Sequence, residues 1–174
     1  MRSWPLVVLV GCGEFSGAER DQLLSDHVTM LADVEARLET IETLIPPEPT
    51  GHGKGDGDYA YEGVLDAGGA WTDGTVDVSG TGQSSNNGGI LTYDLRLTYD
   101  GVVREETTYD GALSTQINIA IVDGDVSVSY VVHGPIACDG RVTGDADMDW
   151  SYAASSVDGG RPHYLGTIDG KSVE

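Results

Sequence analysis

Several things are scarce in this chain of 174 residues, and each scarcity excludes something. Lysine and arginine together number 9 against 29 Asp and Glu, leaving a formal net charge of −20. A nucleic-acid binder needs a basic face to displace counterions from phosphate, so that class is excluded. Direct attraction to an anionic bilayer surface is excluded by the same deficit. Lysine occurs only at Lys54 and Lys171, and phenylalanine only once. No apolar run approaches the ~20 residues of a transmembrane helix. Two cysteines, Cys12 and Cys138, stand far apart, so there is no disulfide framework of the small secreted kind. The four histidines, His27, His52, His133 and His163, show no metal-ligand spacing.

Catalytic motifs are also missing. Gly166 and Gly170-Lys171-Ser172 superficially suggest a phosphate loop. Three residues separate the glycines where four are needed, and the chain ends before a helix could follow. Gly51-His52-Gly53-Lys54-Gly55 has no strand before it and reads as linker. No Gly-x-Ser-x-Gly elbow occurs. Asp145, Asp147 and Asp149 alternate along one strand and project from its polar face. Trp150 stands where a calcium loop needs glycine, and the closing glutamate is absent. Surface Ca²⁺ is therefore a minor alternative to a plain acidic face. Glu105 is the one acid expected to point inward, and it has no evident partner with which to split two carboxyl pKa values. These readings specify no catalytic residues, no cofactor and no metal site, and a non-enzymatic protein is expected.

What is present falls into segments. Met1-Arg2-Ser3-Trp4-Pro5 carries one positive charge, and Leu6–Val10 is a short apolar run ending at Gly11-Cys12. That order is the grammar of an export signal. Leu9-Val10-Gly11-Cys12 resembles the lipobox of bacterial lipoproteins. The resemblance implies that residues 1–11 are a signal peptide removed on export. It also implies that the Cys12 thiol receives a diacylglyceryl group, that Cys12 becomes the first mature residue with palmitate-type acylation, and that residues 12–16 are the lipidated N-terminus. Gly13 in place of aspartate implies the outer membrane by the same resemblance. Once Cys12 is lipidated, Cys138 has no partner and is expected to be an inert, inward-facing hydrophobe.

Ser16-Gly17-Ala18-Glu19 has capping-box spacing. Leu24, Leu31, Leu38 and Ile45 then recur every seven residues, with His27, Val34 and Ile41 three further on. The pattern predicts one amphipathic helix over 17–45, stopped by Pro46-Pro47. Two placements are open to it: docked on the following domain, or self-associated as a short stalk. Residues 46–57 have the composition of a stiff and then loose linker.

From Asp58 to Glu174 the chain alternates apolar and polar residues. Asp-Gly pairs follow one another at Asp73-Gly74, Asp100-Gly101, Asp110-Gly111, Asp123-Gly124, Asp139-Gly140, Asp158-Gly159 and Asp169-Gly170. Asp-Gly supplies the positive φ of tight hairpin turns. A two-residue turn at Asp123-Gly124 pairs Ile121 with Val126, Ile119 with Val128 and Ile117 with Tyr130. A three-residue loop at Asp139-Gly140-Arg141 then sets Cys138 opposite Val142, Val132 opposite Met148, Tyr130 opposite Trp150 and Val128 opposite Tyr152. Further stripes are Tyr59, Tyr61 and Leu65, then Val76 and Val78, then Leu91 to Tyr99 at every second position, and Tyr164 with Ile168. Val102–Tyr109 fits badly, because any turn there sends Arg104, Glu105 or Glu106 inward; it is expected at an edge or a seam.

The expected fold is therefore mainly β: an antiparallel up-and-down meander of about eight strands after one N-terminal α-helix. The apolar face must be covered by closure into a barrel or half-barrel, by a second layer, or by the helix. The expected function is that of a cell-envelope lipoprotein of structural or interaction type, held at the membrane by its lipid. A carrier of a lipid or other hydrophobic small molecule in the concave face is the alternative. An interior filled by side chains favours the first, and an open apolar pocket favours the second.

Overall fold

The computed structural model describes residues 15–44, 57–85 and 89–173, with side chains described outside 42–44. The proposed signal, Cys12, the end of the expected helix at Ile45-Pro46-Pro47 and nearly all of the linker lie outside the described residues. Gly57, assigned above to the linker, opens a strand.

Among the described residues, nine strands form one antiparallel sheet in strict sequence order. They are β1 (Glu42–Leu44), β2 (Gly57–Gly68), β3 (Trp71–Ser85), β4 (Ile90–Arg104), β5 (Thr107–Val122), β6 (Asp125–Gly140), β7 (Gly144–Ser155), β8 (His163–Ile168) and β9 (Lys171–Ser172). The meander is as expected. β1 and β9 are its edges and do not pair with each other. The sheet is open, and its apolar face needs another cover.

Helix α1 (Gly17–Arg37) is that cover. It starts at the expected capping box: Ser16 accepts from the Glu19 amide and Glu19 accepts from the Ser16 amide. Leu23, Leu24, Met30, Leu31, Val34 and Leu38 are buried in one cluster with the inner face of the sheet. Burying six such side chains contributes on the order of 10 kcal/mol, and a self-associated stalk would leave the inner face of the sheet without this cover. The helix is docked.

Its far end departs from expectation. The α-helix stops at Arg37, a single 3-10 turn covers Leu38–Thr40, and Glu42–Leu44 pairs with Tyr59–Tyr61 as β1. Ile41, the next residue of the heptad pattern, therefore lies outside the helix, although it still packs against the core. Glu42, Thr43 and Leu44 complete an edge of the sheet instead, and a strand pairing outweighs the weak helical preference of Thr40 and Ile41.

The first hairpin has the expected register: Ile121↔Val126, Ile119↔Val128 and Ile117↔Tyr130. The second is corrected by two residues. Cys138 faces Gly144, Gly134 faces Met148, Val132 faces Trp150, Tyr130 faces Tyr152 and Val128 faces Ala154. The loop is longer because β6 continues past Cys138 to pair Gly140 with Thr107. Arg141 then donates its amide to the Glu106 carbonyl, and Val142 turns into the core. A slip of two preserves the face of every side chain, so the same residues are inside.

Val102–Tyr109 is also corrected. It is neither edge nor seam but the β4–β5 hairpin at the centre of the sheet, with Glu105 and Glu106 at φ +46° and +67° in its turn. Asp-Gly pairs behave less uniformly than expected. Asp123-Gly124 and Asp169-Gly170 are two-residue turns, whereas Asp73-Gly74 and Asp100-Gly101 lie inside strands at register shifts. Gly74 has φ +82°, and a Cβ there would stand 2.2 Å from the Gly101 carbonyl oxygen. The glycine is required by a bulge that bends the strand, a second use of the same conformational freedom.

Candidate functional site

Where the helix crosses the β4–β5 hairpin, a polar cluster is enclosed by the core. Asp26 is 1% exposed. Its Oδ1 accepts from Arg104 Nε at 3.0 Å and Gln22 Nε2 at 2.9 Å, and its Oδ2 from the Tyr109 hydroxyl at 2.6 Å. Arg104 also donates Nη1 to the Ala70 carbonyl at 2.7 Å, tying the β2–β3 turn to the same point. A buried carboxylate is tolerated only when paired and fully hydrogen-bonded, and three donors meet that demand here. Burial, joined by the hydrogen bond to and charge of Asp26, raises the Tyr109 hydroxyl well above the usual tyrosine range. This keeps it a proton donor to Asp26.

The inward charge expected from the β4–β5 hairpin is thus Arg104. Glu105 is not inward: it is half exposed and lies 3.3 Å from Arg141 and 3.8 Å from Arg104. Asp26 is absent from the residues singled out in the sequence. Its signal is its position three residues after Leu23 and four before Met30, on the buried stripe, where an acid needs a basic partner.

His27 is next to this cluster and fully buried. Its Nδ1 is 2.8 Å from the Leu23 carbonyl, and its ring makes edge contacts with Tyr99 and Tyr109 at 5.9 and 5.2 Å. Desolvation pulls its pKa down to about 4, against the opposing effects of the Leu23 carbonyl and Asp26. His27 is therefore a neutral core residue at pH 7. Asp33 and Arg37 are 3.3 Å apart along the helix, and Arg37 lies over the Trp71 ring and donates to the Asp66 carbonyl.

Beyond the helix, tyrosines gather on the inner face. Tyr59, Tyr93, Tyr130, Tyr152 and Tyr164 stand in one cross-strand row with Gly82 and Ile117. Tyr130 and Tyr152 stack at 5.3 Å, and Tyr152 and Tyr164 are tilted at 5.4 Å. Gly82 is required by this row, since a Cβ would stand 2.8 Å from the Tyr93 ring and 2.9 Å from the Tyr61 ring. Glu35 on the helix is hydrogen-bonded to Tyr130, and burial raises its carboxyl pKa against that bond. Tyr130 is buried, and the other four tyrosines of the row are partly buried and packed against the core.

Cys138 is inward and buried, and burial first, then the charges of Asp145, Asp169 and Asp26, push its thiol up to about 12. Asp145, Asp147 and Asp149 lie on the outer face as expected. Asp149 is 2.9 Å from His133 Nδ1, with both side chains more than half exposed. His163 is exposed at the start of β8, and His52 and Cys12 are outside the described residues. Among the described residues, no group of three or more His, Cys, Asp or Glu could hold a metal ion. No helix among them is long and apolar enough to cross a membrane.

The outer end of the β5–β6 hairpin is different in character. Ile90, Ile121, Val122, Val126 and Val157 are all exposed there, and the last is 70% exposed. Ile121 and Val126, expected to continue the core, keep the expected pairing and face but extend past the helix. Comparison with protein-family models, curated proteins and solved structures found no match.

Proposed function

We propose that this protein is an exported lipoprotein of the bacterial cell envelope, non-enzymatic and of structural or interaction type, anchored through lipid on Cys12 in the outer membrane. Leu9-Val10-Gly11-Cys12 supports the anchor. The observation that carries the interaction role over the carrier role is the helix seated on the inner face of the sheet. Leu23, Leu24, Met30, Leu31 and Val34 are buried against the inner face of the sheet, which a greasy ligand would need. The Asp26–Arg104 pair fastens the helix in that position. A carrier would need this helix to leave, exposing a charged pair together with the apolar face.

The anchor agrees with the placement of the first described residues. Phe15 is buried against Gly144, at the end of the sheet that carries the β4–β5 and β6–β7 turns. Only two residues separate it from Cys12, so the lipid would hold that end of the sheet toward the bilayer. Expression in a bacterial host with a labelled fatty acid tests the reading. Label should enter the wild-type chain and be absent from Cys12→Ala, and equal label in both refutes it.

A further inference from the structure

The exposed apolar residues are not scattered. Of seven exposed large hydrophobics among the described residues, five lie at one end of the sheet: by register Ile90 and Val122 are on its outer face, Ile121 and Val126 are on its inner face, and Val157 is in the 3-10 turn beside them. Two depressions open there, of about 290 and about 240 Å³, and they share Ala120, Ser127 and Ser155. Val122, Val126 and Val157 line the first, and Ile90 lines the second. The surface is held in shape. The Ser156 hydroxyl accepts from the Val126 amide at 2.9 Å and donates to Asp125 at 3.2 Å, and Gly160 donates to the Ser155 carbonyl. These bonds fix the 3-10 turn Ser156–Asp158 against the hairpin and present Val157 outward. Asp123, Asp125 and Asp158 border the same depressions, and His163 is their one basic lining residue among the described residues.

We propose that this rim is the docking surface for a partner protein presenting an apolar ridge flanked by lysine or arginine. The proposal deepens the interaction reading and rests on it only in that the protein works by binding another protein. An apolar centre within a polar border is the usual anatomy of an interface. The acidic border selects the charge of the partner. A second copy would bring two sets of aspartates together in chains that each carry −20, and anionic lipid would be repelled likewise. Position favours the same partner. Phe15 and the rim lie at opposite ends of β6, whose 16 residues span up to ~50 Å. A chain anchored near Phe15 would hold the rim away from its own membrane.

The test uses the full chain carrying Cys12→Ala and a labelled amphipathic helical peptide with leucines on one face and lysines on its flanks. A scrambled peptide of the same composition controls for net charge. Fluorescence anisotropy should show the amphipathic peptide binding at least tenfold more tightly than the scrambled one. Val122→Ser/Val126→Ser/Val157→Ser should abolish that preference, whereas Leu165→Ser, at an exposed site elsewhere, should keep it within twofold. Val157→Ser alone, at the most exposed rim valine, should weaken binding severalfold without any risk to the fold. Asp123→Asn/Asp125→Asn/Asp158→Asn should weaken binding severalfold and flatten its salt dependence. Equal binding of both peptides, or triple-serine binding equal to wild type, overturns the proposal. So does a wild-type dimer in sedimentation that the triple-serine variant lacks, or zwitterionic vesicle binding lost in that variant. The fatty-acid label is independent of the rim, so loss of the anchor and loss of the docking surface are read separately.

Discussion

Replacing Arg104 by methionine removes the positive charge from the one buried carboxylate, among the described residues, that the helix carries into the sheet. Methionine keeps much of the aliphatic stem, so packing changes little. Asp26 would retain Gln22 and Tyr109 as donors but lose its counter-charge. Breaking a buried pair from one side costs ~3–5 kcal/mol. The remaining donors and the 18% exposure of the Arg104 side chain lower the expectation here to about 2–3 kcal/mol. An intermediate value raises the unfolding constant ~70-fold. Urea denaturation of the full chain at pH 7 measures it. Asp26→Asn in the Arg104→Met background should recover most of the loss, because a neutral amide needs no counter-ion. The double-mutant cycle should show coupling of about 2 kcal/mol. A loss under ~0.5 kcal/mol with additive effects would refute the argument that charge pairing, rather than packing, fastens the helix.

Two further predictions concern buried groups. His27 has a folded pKa of about 4 against an ordinary value of 6.5, so the unfolded chain binds the extra proton between those limits. Stability from this residue is complete above about pH 6.5 and is lost as pH falls toward 4, amounting to about 2.5 kcal/mol at pH 4.5. Comparing wild type with His27→Leu by urea denaturation at pH 7 and pH 4.5 isolates that slope, and equal slopes would falsify the neutral core assignment. Cys138, with its thiol raised to about 12, should resist a thiol reagent in the native protein and react fully after denaturation. Fast native labelling would mean that the inward placement is wrong.

Face was legible in the sequence where register was not. Side chains alternate with a period of two, so Val132, Met148 and Trp150 could be assigned to the core without their partners. Pairing depends on loop length, and nothing local reveals that β6 runs on to reach Thr107. Asp-Gly pairs signal positive φ, but turns and bulges both use it, and only the curvature of the whole sheet separates Asp123-Gly124 from Asp73-Gly74. The helix start was legible because its cap is a local hydrogen-bond exchange. Its end was not, because the competing strand pairs with residues Tyr59–Tyr61 further along the chain. Arg104 looked misplaced alone, and its partner Asp26, 78 residues away, went unnoticed because nothing local marks an acid on the helix as paired. The exposed rim was hidden because Ile121 and Val126 have core composition, and a pattern carries no information on where the covering helix stops.

The position of that helix ahead of the sheet sets the order of events during synthesis. Each hairpin of the meander can form as soon as its second strand emerges. The helix cannot finish in the same way, because its polar partners, Arg104 and Tyr109, follow Asp26 by 78 and 83 residues. Until then its leucine stripe has no permanent partner, and the growing sheet has an uncovered inner face. Closing so long a loop is entropically slow compared with zipping neighbouring strands. The nascent chain therefore passes through an interval in which both halves of its core are exposed at once. A chaperone that shields apolar segments would act in that interval, before the β4–β5 hairpin arrives to close it.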